Sequence, residues 1–124
     1  MDVAVPNAVV GRDEAERLAG ELAVLAEPHR LLVLSELQGG PRSAGTLAKS
    51  IGMAPSLASH HLAVLLRADL VSRWREGSFV FYTLNRKRVL ELNQTLARLG
   101  RPPAVRGNHR VSADREMEAE AHFG

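Results

Sequence analysis

The chain has no cysteine, which excludes disulfides, thiolate metal sites and thiol redox switching together. Aromatic residues are few, with one Trp, one Tyr and three Phe in 124 residues. A core short of rings has to be built from Leu, Val and Ala, which favours packed helices. No apolar run approaches the roughly 18 residues that a membrane span requires. The N-terminal stretch MDVAVPNAVVGRDE has neither the basic start nor the apolar segment of a secretory signal. The expected location is therefore cytoplasmic, with no membrane partner. Lysine is also scarce, since arginine outnumbers it fourteen to two. At this length one folding unit is expected.

What is present is a segregated charge. Residues 1–27 carry six acids and two bases, 28–106 carry twelve bases and four acids, and 107–124 carry two bases and four acids. A basic middle between acidic ends suits a domain that meets a polyanion through its centre, nucleic acid foremost. A solvated basic face is the plainer reading of the same numbers.

Apolar periodicity divides the chain. Ala15, Leu18, Ala19, Leu22 and Leu25 recur at helical spacing over 12–26. Pro28 suits a first helical position, and Arg30, Val33, Leu34 and Leu37 continue a second helix over 28–38 until Gly39-Gly40-Pro41. Ser43 is a plausible N-cap for a short third helix whose Ala44, Leu47, Ala48 and Ile51 share a face, and Gly52 ends it. Pro55 opens a fourth helix that runs to about Ala68. Two short helices joined by a tight glycine turn form a helix-turn-helix signature. LVSRWR and SFVFYTL, flanking Glu76-Gly77, then read as a β-hairpin, and Asn85 caps a last helix over 86–99. The expected divisions are an N-terminal arm 1–11, a domain 12–99 and a polar acidic tail 100–124.

The fourth helix carries adjacent histidines, His60 and His61. Helical geometry puts them about 100° apart, so they do not make the i, i+4 pair through which two imidazoles reach one ion. Ser56 and His60 are i, i+4, but without an orienting acid or oxyanion donors they make no catalytic site, and the chain is not expected to be an enzyme. Ala58, His61, Leu62 and Leu65 share one side. His61 is expected there as a partly buried residue hydrogen-bonded to nearby backbone. His60 shares the other side with Ser56, Ala63 and Arg67, either as an ordinary solvent residue or as a side chain that reaches major-groove base edges beside Ser59.

The segments LAEPHRLLVLSEL, LAKSIGMAPSLASHHLAVLLRADLV and REGSFVFYTL resemble the ArsR/SmtB family of bacterial winged-helix repressors, over roughly residues 15–98. The resemblance implies a mainly α winged helix-turn-helix fold of about five helices with a two-stranded antiparallel wing. It further implies a homodimeric, sequence-specific repressor of transcription, bound to an imperfect palindrome in double-stranded DNA and released by an effector. On it, Ser56, Ser59 and His60 would lie in the major groove, and Arg73 and Arg75 of the wing near phosphates or the minor groove. Ala63 and Arg67 share the reading helix, and Arg42 and Lys49 flank the third helix where they could touch phosphates. Leu18, Leu22 and Leu25 with Val89, Leu92 and Leu96 would form the dimer interface.

The sequence departs from the family at Ala63, Leu66, Asp69 and Ser78, where a base, an arginine, a glycine and an arginine are frequent. The family's thiolate site would need cysteines near Ser43 and Gly45, and its acid-and-histidine site would begin at Arg86 and Arg88. No cofactor or metal is expected at either, so the effector is expected to be neither a thiol oxidant nor a metal bound there. An organic ligand, control by expression alone, or a metal held by His109, His122 and the carboxylates of Asp114, Glu116 and Glu118 stay open. Trp74, Phe79 and Phe81 could line an effector pocket or a partner patch, while cross-strand packing explains them more simply. The runner-up function is a winged-helix protein-interaction module without DNA binding.

Overall fold

The computed structural model describes residues 9–102. Most of the expected N-terminal arm and most of the tail, with His109 and His122, lie outside them. Five helices and three strands follow in the order α1 (Arg12–Leu25), α2 (Pro28–Leu37), β1 (Arg42–Ser43), α3 (Ala44–Ile51), α4 (Pro55–Arg67), β2 (Val71–Glu76), β3 (Phe79–Leu84) and α5 (Arg86–Leu99).

Local chemistry sets these boundaries. Pro28 occupies the first turn of α2, where its missing N–H costs nothing, and the Glu27 side chain accepts from the Arg30 N–H at 3.1 Å. Ser43 caps α3 by accepting from Thr46 N–H at 3.1 Å, and Asn85 caps α5 by accepting from Arg88 N–H at 3.3 Å. Gly52 ends α3 in the left-handed conformation, with φ +80°, and its N–H and that of Met53 both donate to the Ala48 carbonyl. The end of α4 is a Schellman motif, with Leu70 N–H on Leu65 O at 3.1 Å and Asp69 N–H on Leu66 O at 3.0 Å. That motif needs a left-handed residue, and Asp69 supplies it at φ +63°. The aspartate thus holds the backbone shape for which the family's usual residue is glycine.

The sheet has three antiparallel strands in the order β1-β3-β2, one more than the expected hairpin. β1 is two residues, Arg42 opposite Tyr82 and Ser43 opposite Phe81. The hairpin closes one residue later than the sequence suggests: Glu76 pairs with Phe79, so the loop is Gly77-Ser78, with Gly77 at φ +62° as the first position of a II′-type turn demands.

Val33 and Leu37 of α2, Leu47 of α3, Leu62 and Leu65 of α4, and Leu70, Val71 and Tyr82 form one buried cluster. The burial of Ala58, His61, Leu62 and Leu65 fixes which side of α4 faces inward. Its opposite side is thereby held toward solvent.

Candidate nucleic-acid interface

On the outer side of α4, Ser56, Ser59, His60 and Arg67 are exposed, and Ala63 is half-buried. Ala63 is therefore tucked against the fold more than the reading of that face expected. Its methyl leaves room between the polar side chains and supplies no donor. Lys49, in the last turn of α3, is exposed. Arg42 is half-buried on β1, where its Nη1 donates to the Pro41 carbonyl at 2.9 Å.

In the wing, strand alternation separates two chemistries. Arg73 and Arg75 stand opposite Tyr82 and Val80, on the sheet face that carries buried Val71. Trp74, Phe79 and Phe81 occupy the other face, with Trp74 stacked on Phe81 at 5.7 Å and Phe79 near Phe81 at 6.2 Å. Trp74 thus packs across the strands on Phe81, while Phe79 packs along β3 on the same ring, and Trp74 stays 38% and Phe79 61% exposed.

His61 is buried, but its partners are side chains and not the backbone expected. The Arg30 guanidinium lies 3.3 Å from its Nδ1, Glu27 Oε1 lies 3.8 Å from its Nε2, and the His29 ring stacks on it at 5.4 Å. The His60 ring meets it edge-on at 5.4 Å. Burial pushes the His61 imidazole below its ordinary pKa; the Glu27 carboxylate opposes this, while Arg30, His29 and His60 add to it. Glu27 feels desolvation, which raises it, but hydrogen bonds from His29 and from backbone N–H groups, with the field of His61, hold its carboxyl below the usual range. Sequence reading missed this group because its members are 32 and 34 residues apart. The only local signal was Glu-Pro-His at a helix start.

The places of the family's sensor sites are otherwise engaged. Ser43 caps α3. Arg86 Nη2 donates to the Gln38 carbonyl at 2.9 Å, and Arg88 pairs with Glu21 of α1. A second α1–α5 ion pair joins Arg98 to Glu14 at 2.6 Å. Of the expected dimer contacts, Leu18 and Leu92 are buried by their own chain, and Leu25 and Val89 pack against its core. Leu22 and Leu96 remain 37% and 38% exposed.

A glycine-turned helix pair with one polar outward face, followed by a β-hairpin with paired arginines, defines a winged helix-turn-helix. Residues 27–73 match the model of the bacterial regulatory proteins of the arsR family. The chain is 38% identical over 87 residues to the HTH-type transcriptional regulator NmtR of Mycobacterium tuberculosis, covering 70% of this chain and 72% of that protein. It is 36% identical over 61 residues to the transcriptional repressor SdpR of Bacillus subtilis, covering 49% and 68%. A homodimeric winged helix-turn-helix DNA-binding domain from Mycobacterium bovis superposes with a TM-score of 0.57 at 30% identity, covering 67% of this chain and 80% of that one. The chain belongs to the ArsR family of transcriptional regulators.

Proposed function

We propose that the chain is a homodimeric repressor that reads an imperfect palindrome in double-stranded DNA, with residues 12–99 as the binding and dimerising unit. The observation that carries this is the outward face of α4, where Ser56, Ser59, His60 and Arg67 stand exposed because four residues on the opposite face are locked in the core. Hydroxyls and an imidazole are donors and acceptors short enough to reach base edges in the major groove. Arg73 and Arg75, with Lys49, supply the phosphate charge that fixes register without reading sequence. The homodimeric relative supports pairing of two such units.

The dimer contact we assign to the apolar surface that α1 and α5 leave uncovered. On α1, Ala15, Ala19 and Leu22 line up at helical spacing and are exposed, and on α5 so are Leu96 and Leu99. Leu18 and Leu92, buried within the protomer, brace those helices from behind. Arg42 contributes to sheet geometry first and to phosphate contact second.

The test is a pair of titrations, on a bound promoter-proximal duplex and on random duplex. His60→Ala or Ser56→Ala is expected to cost roughly 1–3 kcal/mol on the specific site and little on random DNA. Arg73→Ala or Arg75→Ala should weaken both and flatten the salt dependence. Equal losses on all sequences from His60→Ala would show that this face does not read bases. No binding to any duplex would favour the protein-interaction module.

A further inference from the structure

The geometry points to a divalent transition-metal site at Glu27, His29 and His61, where the start of α2 meets the recognition helix α4. One ligand atom from each residue lies within 4.8 Å of the other two. Each imidazole faces one oxygen of the Glu27 carboxylate, His29 Nδ1 at 3.2 Å from Oε2 and His61 Nε2 at 3.8 Å from Oε1. Bonds of about 2.0–2.2 Å to nitrogen and oxygen place tetrahedral ligand atoms roughly 3.4 Å apart. The remaining adjustment falls to His29, whose side chain is 41% exposed. Two imidazoles and a carboxylate form the donor set of zinc sites that keep a fourth position open to water or another ligand.

A ligating imidazole must be neutral, and the Glu27 carboxylate would offset part of the ion's charge. His29 is the member that the fold itself does not require, because it lies half-buried at the protein's surface beside the core and not within it. Arg30 opposes the ion, and the opposition has a specific chemical form. A guanidinium only donates, so its contact at 3.3 Å makes His61 Nδ1 an acceptor and puts the imidazole proton on Nε2. An ion bound at Nε2 displaces the proton held there, the neutral ring carries its proton on Nδ1 instead, and the Nδ1–H then faces the Arg30 N–H donor to donor. Metal binding and the Arg30–His61 contact are mutually exclusive. Arg30 also donates to the Val24 carbonyl at 2.5 Å, and His60 abuts His61, so occupancy acts on the join between the end of α1 and the recognition helix.

The experiment uses the untagged full chain, titrated with Co(II) and competed with Zn(II), while the histidine nitrogens are followed by 15N NMR. One ion per chain is expected, with d–d bands of a four-coordinate site and conversion of His61 to the Nδ1–H tautomer. His29→Ala and Glu27→Gln should each weaken Co(II) binding by at least about tenfold, the lower end for loss of even an outer-shell partner. The His109→Ala/His122→Ala double variant should bind like the unaltered chain. Unchanged affinity in His29→Ala, or loss of the ion in the double tail variant, would overturn the site. So would retention of no ion by the unaltered chain. None of these readouts involves DNA.

Discussion

Single residues show where physical chemistry overrides composition. Asp69 departs from the family's glycine yet holds the left-handed conformation of the Schellman turn, and an L-residue there costs up to about 1–2 kcal/mol, less for aspartate. Asp69→Gly is expected to stabilise the protein by about 0.5–1 kcal/mol after the entropy that glycine adds to the unfolded chain. A thermal melt would register this as an upward shift of a few degrees, and a lower melting temperature would contradict it. His61 makes a second residue-scale prediction. Its pKa in the folded chain lies below the ordinary 6.5, so below that pH the unfolded chain binds a proton that the folded chain refuses. Stability is full above pH 6.5 and is lost as pH falls toward the folded value. Glu27, depressed below 4.5, extends the loss in the same direction at lower pH. Denaturant midpoints measured with a chelator should fall between pH 7 and 5.5, and a flat profile would count against a buried neutral His61.

Among the elements, α4 carries the central load, because one face is core and the other is the exposed polar face proposed to read DNA. Leu62 is fully buried at the middle of its inner face. Leu62→Ala should cost about 2–5 kcal/mol in chemical denaturation through lost burial and the cavity left behind. A cost under about 1 kcal/mol would show that α4 is not anchored as described. The helices were legible in sequence because proline, serine, asparagine and glycine punctuate them, and because 3.6-residue periodicity survives even in an alanine-rich chain. β1 was not legible: two residues carry no alternation, and Arg42 and Ser43 are strand only because Tyr82 and Phe81 lie beside them. The hairpin was legible but its turn slipped by one residue, since Gly77 can take either central position and pairing of Glu76 with Phe79 decides. The inward turn of His61 could be read from helix phase. Its partners Glu27, His29 and Arg30 could not, because only the packing of α2 on α4 brings them together.

For the whole molecule, the basic middle and acidic ends anticipated a polyanion partner, and the fold adds a geometry to that charge. In the proposed dimer, the apolar residues that one chain leaves open on α1 and α5 would form a two-fold interface, built from the same patch twice. Leu22→Glu with Leu96→Glu should convert a dimer into a folded monomer in sedimentation while leaving the helical signal intact. An unaltered chain that sediments as a monomer at micromolar concentration would contradict the assembly. The most direct measurement of the central claim is selection of binding sites from a random duplex library by the full chain. Enrichment of an imperfect palindrome with half-sites about one helical turn apart, roughly 34–36 Å, is the predicted result. Recovery of no common sequence, or of a single half-site without a symmetric partner, would contradict a homodimer that reads DNA through α4.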